Sequence, residues 1–483
     1  MADSMRVLEE RLSSFDIEAR RAAVREIAAR IESGDLPLPP LTGVVNVHFH
    51  TFFSFNYRDY SPSRIVWEAK KAGLDVAGSV DFDVLDAMDE MLEAGEILQV
   101  RTNVALETRV FAPEFPDWEF SSPGEPGILY FMGTGFTRLP PAGSFAEACL
   151  ARLRAGARAR NEEMLERLRA VIAPMEVDYE GDVLPLTPSG NATERHMLAV
   201  LDTKARTMFP VMVGRGEPRV RPEKAGYLNQ GGEHKVRPYL LAAYWSQRTG
   251  LSEGEVGRLL GDTAKFRTAV RSRLMKKGGP GYMPPDPRKF PRIRDVAQMI
   301  RDVEAIPCAT WLDGTRRGEA DPDALLDWFL GMDCLVLNVI PDRNWNLSDP
   351  DEKRVKTQKL AEIVEAARKR HLIFSVGTEM NNYGQKFVDT FDAPELRPYA
   401  ADFRDGGYIL YAHTLLQRAI GRGMMSAWAR GAFGRDRAKA NAFYLDVGRR
   451  AFPPKAAFDA LSSLGGEPEA ADILQTLASF RGE

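Results

Sequence analysis

Seven short apolar, β-prone runs punctuate the chain between residues 44 and 377, and most are set apart by stretches with helical periodicity. They cover 44–50, 74–80, 101–106, 128–132, 306–312, 334–340 and 372–377. Strands joined through helices pair in parallel, since each crossover returns the chain to the same end of the sheet. Such a sheet buries both faces under its helices, either closed as a barrel or open and doubly wound. The helix boundaries fit this alternation. Ser61 and Pro62 place an N-cap and a first-turn proline before the segment that ends at Gly73, and Asp321 with Pro322 opens another helix. A helix over 84–93 is expected to be capped by Gly95, and one over 144–172 to carry an arginine-rich solvated face.

The alternation divides the chain. Residues 1–40 read as a helical N-terminal arm, heptad-like at Leu8, Leu12, Phe15, Ile17, Ala23, Ile27 and Ile31, with a proline-rich connector at 36–40. Residues 41–200 and 292–401 carry the α/β rhythm. Between them, 201–291 reads as a mostly helical insertion, with a basic Gly/Pro-rich stretch at 213–224 and helices at 237–249 and 252–275. Residues 402–483 read as a helical C-terminal cap. A net charge of −4 argues against a nucleic-acid or membrane surface as the main partner but names no partner itself. Local basic stretches could still meet a small anionic substrate, and a small-molecule substrate is expected. The three cysteines are widely spaced in apolar contexts, which suggests buried thiols rather than a disulfide framework. With no apolar signal-like segment and no run of membrane-spanning length, the chain reads as a cytoplasmic protein.

Polar residues gather where the runs end: His48 and His50, Asp81 and Asp83, Glu107 and Arg109, Asp313, Asn338, and Glu379. In parallel α/β barrels the carboxyl ends of the strands build the active site. His48 and His50 are two apart on one strand, so their imidazoles project to the same side and can meet one metal ion. Glu107 closes an apolar run, where a carboxylate needs a metal or a cation to offset its burial. Asp81 and Asp83 are placed either to take a proton in the site or to cap the following helix. The aromatics Phe52, Phe53, Phe55, Tyr57 and Tyr60 suit either a core or a sugar-stacking surface. His234, His371 and His413 read as structural.

These residues resemble the polymerase and histidinol phosphatase (PHP) superfamily of metal-dependent phosphoesterases. Val47-His48-Phe49-His50-Thr51 is similar to its first motif, Leu106-Glu107 to its bridging glutamate, and Thr193-Glu194-Arg195-His196 to its motif with a histidine near a helix start. The resemblance implies a distorted (β/α)7 TIM-like barrel, interrupted by the insertion. It also marks departures. Phe82 stands where a histidine is expected between the two aspartates, Asn56 where a ligand is expected, Tyr130 where the fourth strand usually has histidine, and Glu379-Met380-Asn381 where Asp-x-His is usual.

What survives is a set of two imidazoles and two carboxylates, His48, His50, Glu107 and Glu379, suited to one Zn, Mn or Fe ion. A poorer second subsite would combine Glu107 with His196 and Asn381. Asp81 or Asp83 would take the proton, and Arg109, Arg195, Gln385 and Lys386 would hold an anionic group. The expected activity is metal-dependent hydrolysis of a small anionic, sugar-like metabolite through a metal-activated water. A metal-dependent sugar isomerase, epimerase or lyase is the alternative, and a catalytically silent binding protein the third reading.

Overall fold

The computed structural model describes residues 2–209, 238–284, 286 and 289–480. The basic stretch at 213–224 and His234 lie outside these residues.

Seven strands form one sheet in chain order: β1 (Val45–Phe49), β2 (Val76–Phe82), β3 (Arg101–Phe111), β4 (Ile128–Thr134), β5 (Ile306–Thr310), β6 (Val336–Val339) and β7 (Ile373–Val376). A parallel bridge between Phe49 and Glu379 joins the first strand to the segment after the last, so the sheet curls into a nearly closed, distorted barrel flanked by helices. Helices cover the connections from β1 to β2 (Pro62–Ala72), β2 to β3 (Met88–Leu98), β5 to β6 (Pro322–Leu330) and β6 to β7 (Pro350–Lys369). Each joins parallel neighbours.

One strand departs from the expected parallel sheet. β4 runs antiparallel to both β3 and β5. No helix lies between β3 and β4, and without a crossover the chain can only turn back alongside itself. β3 is also longer than the apolar run suggested, so Glu107 and Arg109 sit within the strand rather than past its end.

Other boundaries shift for local reasons. The helix expected at 84–93 is Met88–Leu98, and it ends at Gln99 with a left-handed φ of 55°. Gly95 lies inside it, where a Cβ would stand 2.7 Å from Thr102 Oγ1; the glycine admits β3 rather than capping the helix. The helix expected over 252–275 is two, Glu253–Leu259 and Thr263–Leu274, because Asp262 accepts a hydrogen bond from Lys265 N–H and starts a new one. The helix Glu194–Met208 is capped by Thr193, and the nearby Asn191 amide donates to the carbonyls of Phe53 and Phe82.

The amino ends of the parallel strands are sealed by the helix Ala400–Ile420. Its Gly406 and Gly407 bring its backbone against Phe374 and Val45, and Arg101 at the start of β3 lies over the rings of Tyr408, Tyr411 and Phe452. His413, buried in this helix, spends both ring nitrogens on backbone groups of Gly135 and Met424, as a structural histidine should. Polar chemistry is therefore left to the opposite, carboxyl end.

The N-terminal helices Ala2–Arg11 and Ile17–Glu32 dock on the barrel through Leu8, Leu12, Val24 and Ile27, with a buried ion pair from Arg20 to Glu90 at 2.6 Å. A second hydrophobic cluster, with Trp245 fully buried, gathers residues from 165 to 275. The helix Phe145–Ile172 belongs to both clusters: Ala146, Cys149 and Leu153 pack in the barrel core, and Leu165, Leu168 and Ile172 in the second. Among the described residues no helix is long and apolar enough to cross a membrane.

Gly377, just after β7, lies against β1, where a Cβ would stand 2.8 Å from His48 N and closer still to Asn46 Oδ1. The obstacle includes backbone that cannot swing away. Gly377→Ala is therefore expected to cost about 1–3 kcal/mol in urea unfolding, the usual penalty for overpacking a tight core.

Candidate metal centre

His48 and His50 leave β1 with both imidazoles in the barrel mouth, ring centroids 5.3 Å apart. His48 Nδ1 lies 2.9 Å from Asn338 Oδ1 at the end of β6. An amide oxygen only accepts, so Nδ1 carries the hydrogen and Nε2 keeps a free lone pair. His50 Nδ1 lies 3.2 Å from Ser54 Oγ, and Ser54 gives its own hydrogen to Asp81 Oδ1 at 2.6 Å. The hydroxyl must therefore accept from His50 Nδ1–H, which again frees Nε2. Both partners set the ring tautomer in the way that metal-binding histidines need.

The two free nitrogens converge on Glu107. Its Oε2 lies 3.3 Å from His50 Nε2 and 3.9 Å from His48 Nε2. These three atoms are buried and none makes a hydrogen bond. One ligand atom from each of the three residues falls within 4.8 Å of the others. Leaving a buried polar atom unpaired costs about 1–3 kcal/mol, so three such atoms aimed at one point constitute a built site. Two neutral nitrogens and a carboxylate oxygen fit a divalent transition metal with positions to spare.

Burial shapes the charges. It lowers His48 and takes His50 down to about 4 against the pull of Asp81, so both rings are neutral donors near pH 7. Burial lifts Glu107 to about 7 despite His48 nearby.

The remaining expected residues fall into distinct places. Asp81 accepts hydrogen bonds from Thr51 N–H, Thr51 Oγ and Ser54 Oγ, at 2.9, 2.7 and 2.6 Å. Its oxygens are spent on the 51–54 turn and, through Ser54, on His50; it positions a ligand rather than facing the cavity. Asp83 does line the cavity, with φ at 63°, Thr108 donating to Oδ1, and Arg160 3.8 Å from Oδ2. Asn56, at a position expected to hold a ligand, braces the loop by donating to the His50 carbonyl at 2.8 Å.

Glu379 and His196 stand apart from the trio. Glu379 Oε2 accepts from Arg343 Nη2 at 2.7 Å and from Gln385 Nε2 at 2.9 Å. Burial alone would raise this carboxyl, but the Arg343 cation and His48 bring it to about 2. His196 uses Nδ1 to accept from Thr193 N–H at 3.0 Å, closing the cap of its own helix, and burial takes it to about 3. Asn381 meets Arg195 at 3.5 Å. Among the described residues, no second group of this kind converges.

A cavity of about 520 Å³ opens at Glu107, the member of the trio that lines it. Its walls come from the strand ends, the helix Phe145–Ile172 and the helix Thr263–Leu274 with the loop after it. Arg109 faces it, bound to Glu125 at 2.8 Å. Arg195 faces it, hydrogen-bonded to the amides of Asn381 and Asn382 and lying over the Phe55 ring, and burial lowers it to about 10. Gln385 and Lys386 do not reach it: Gln385 holds Glu379, and Lys386 donates to Thr390 beside Asp342. Of the aromatic loop, Phe52 and Phe53 pack in a small core and Phe55 lines the wall.

Sequence reasoning overlooked three contributors. Asn338 was visible as a polar strand end but had no stated role. Arg160 belongs to the helix read as having a solvated arginine face, yet its side chain is only 15% exposed and turns toward Asp83. Arg343 follows β6 in a one-turn helix, Asp342–Trp345, with no motif to mark it.

No protein-family model matches the chain, and no curated protein does. Two solved structures share its general course. One, from Bifidobacterium adolescentis and assigned by name to the metal-dependent phosphoesterases, is 15% identical, with a TM-score of 0.43 over 75% of this chain and 98% of the other. The second, an amidohydrolase from Chromobacterium violaceum with bound sulfate and no metal, is 14% identical, with a TM-score of 0.42 over 74% and 96%. Likenesses of this size assign neither an activity nor a residue's role.

Because Glu107 holds a proton below about pH 7, metal must displace it. Metal affinity, measured by calorimetry, is expected to fall as the pH drops through 7 and binding to release a proton there. His48→Ala and Glu107→Ala should each lose the bound ion on gel filtration; stoichiometric retention in both would mean that the ligands lie elsewhere.

Proposed function

We propose that the protein is a metal-dependent hydrolase acting on a small anionic metabolite, with His48, His50 and Glu107 holding one Zn, Mn or Fe ion. The observation that carries this reading is the convergence of three buried, unpaired donor atoms at the foot of a cation-lined cavity. When bound there, a divalent ion supplies a Lewis acid and lowers the pKa of water enough to make it a nucleophile near neutrality.

The chain's own residues do the rest. Asn338 and Ser54 keep the two imidazoles in the ligating tautomer. Asp83, facing the cavity, is the acceptor for a proton from the attacking water. Arg195, which has no carboxylate ion pair among the described residues, and Arg160, 3.8 Å from Asp83, face the cavity and suit a phosphoryl or carboxyl group. The 201–291 insertion contributes Arg271 and Lys276, both held by Glu194. A phosphate ester suits this arrangement best, since its charge meets both the ion and the guanidinium groups. The sugar-like part of the expectation rests on Phe55 alone.

Elemental analysis of the purified protein is expected to find about one transition-metal ion per chain, as a three-ligand site predicts. Incubation of the metal-loaded protein with sugar phosphates should release phosphate, and incubation with uronates should leave them unchanged. No bound metal and no response to added metal would sink the proposal; isomer formation without hydrolysis would replace it with the isomerase reading.

A further inference from the structure

A hydrolase needs a proton for its leaving group as well as a nucleophile, and few groups in this cavity are free to give one. Among the described lining residues, Glu125 is clamped by Arg109 and Ser122, Glu194 by Arg271 and Lys276, and Glu379 by Arg343 and Gln385. Asp83 accepts from Thr108 beside Arg160, and burial raises its carboxyl, which suits it to take up a proton from water.

Two tyrosines line the cavity with hydroxyls that no described residue hydrogen-bonds, Tyr130 and Tyr282, and strand register places Tyr130 beside the metal trio. The Tyr130 backbone is fixed on both sides, N–H donating to Ser121 Oγ and the carbonyl accepting from Thr310 Oγ. Its side chain lines the cavity, and no described residue hydrogen-bonds its hydroxyl. The residue is half-buried, so the hydroxyl opens into the cavity, where a ligand can meet it. Register places the ring beside the metal trio: Arg109 on β3 is opposite Tyr130 on β4, and Glu107 is two residues along β3 on the same face. The Tyr130 ring is 6.3 Å from Phe82, whose ring is 4.3 Å from His50.

We propose that Tyr130 is a catalytic residue, donating its hydroxyl proton to the leaving oxygen of a phosphate ester. The inference rests on the hydrolase reading. As the water oxygen forms the new P–O bond, the old P–O bond breaks and its electron pair stays on the leaving oxygen. That oxygen takes the phenol proton and departs as an alcohol, while the proton lost by water passes to Asp83. The phenolate, offset by Arg109 across the ladder, is reprotonated from solvent as Asp83 releases its proton, so the site returns to its starting state.

Proton donation matters when the leaving group is a poor one. Wild type and Tyr130→Phe, both loaded with metal, would be compared on glycerol 2-phosphate, which leaves as an alkoxide, and on 4-nitrophenyl phosphate, which leaves as a stabilised anion. The variant is expected to lose ~100-fold or more in kcat on the first and less than ~5-fold on the second, within the usual range for general acid catalysis. Its metal content and thermal midpoint should match wild type, since the ring and its packing are retained. Equal losses on both esters, no loss on either, or a loss explained by missing metal would overturn the role of Tyr130 while leaving the hydrolase reading in place. Failure of the metal-loaded wild type to cleave either ester would overturn both.

Discussion

The structure depends on two backbone hydrogen bonds. Glu379 N–H donates to the His48 carbonyl and His50 N–H donates to the Glu379 carbonyl, each at 2.8 Å. Together they form the bridge between the first strand and the chain after the last, and so bring the two edges of the sheet together. A sheet with two open edges exposes unpaired amide and carbonyl groups, and closure removes that liability. Here the closing rungs fall on the backbone of the two histidines themselves. The left-handed conformations of Glu379 and Met380, with φ of 63° and 52°, belong to the same junction. Fixing the barrel and fixing the imidazoles is one event.

From that junction the polar network spreads outward in layers. Next to the histidines come groups that hold them: Asn338, Ser54 and, behind Ser54, Asp81. Beyond these are the paired charges of the wall. Most acids there are matched with arginine or lysine, as buried charges must be. Among the described residues, other buried polar atoms also lack hydrogen bonds, both oxygens of Asp389 among them, but at His48, His50 and Glu107 three such atoms converge on one point. That convergence is what makes the gap informative.

Much of this was legible in the sequence, and what was not follows a rule. The strands show because buried parallel strands are continuous apolar runs, and polar residues that interrupt their ends stand out. His48, His50 and Glu107 could be read in this way. The orientation of β4 could not, since an apolar run has no direction and only the missing helix after β3 hinted at reversal. Glu379 was legible as a strand-end carboxylate, but its competitor Arg343 lies in a different connection, and nothing local says that the two meet. His196 looked like a ligand because it is near a helix start; that same position lets the ring serve the cap. Arg160 was lost among neighbours on a helix whose outward and inward arginines look alike until the packing partners are known.

The helix Phe145–Ile172 has 28 residues, about 42 Å at 1.5 Å per residue, and is rooted in two separate hydrophobic clusters. Arg160 sits near its middle, where it spans the gap between them and meets Asp83. Such an element is a beam with a support at each end and a charged contact at mid-span. Sequence drift in the outer cluster can reset the angle of the beam, and with it the reach of one guanidinium, without any change in the strands that carry the histidines. The guanidinium in the cavity wall and the histidines at the strand ends thus rest on separate supports, so a shift in one need not move the other.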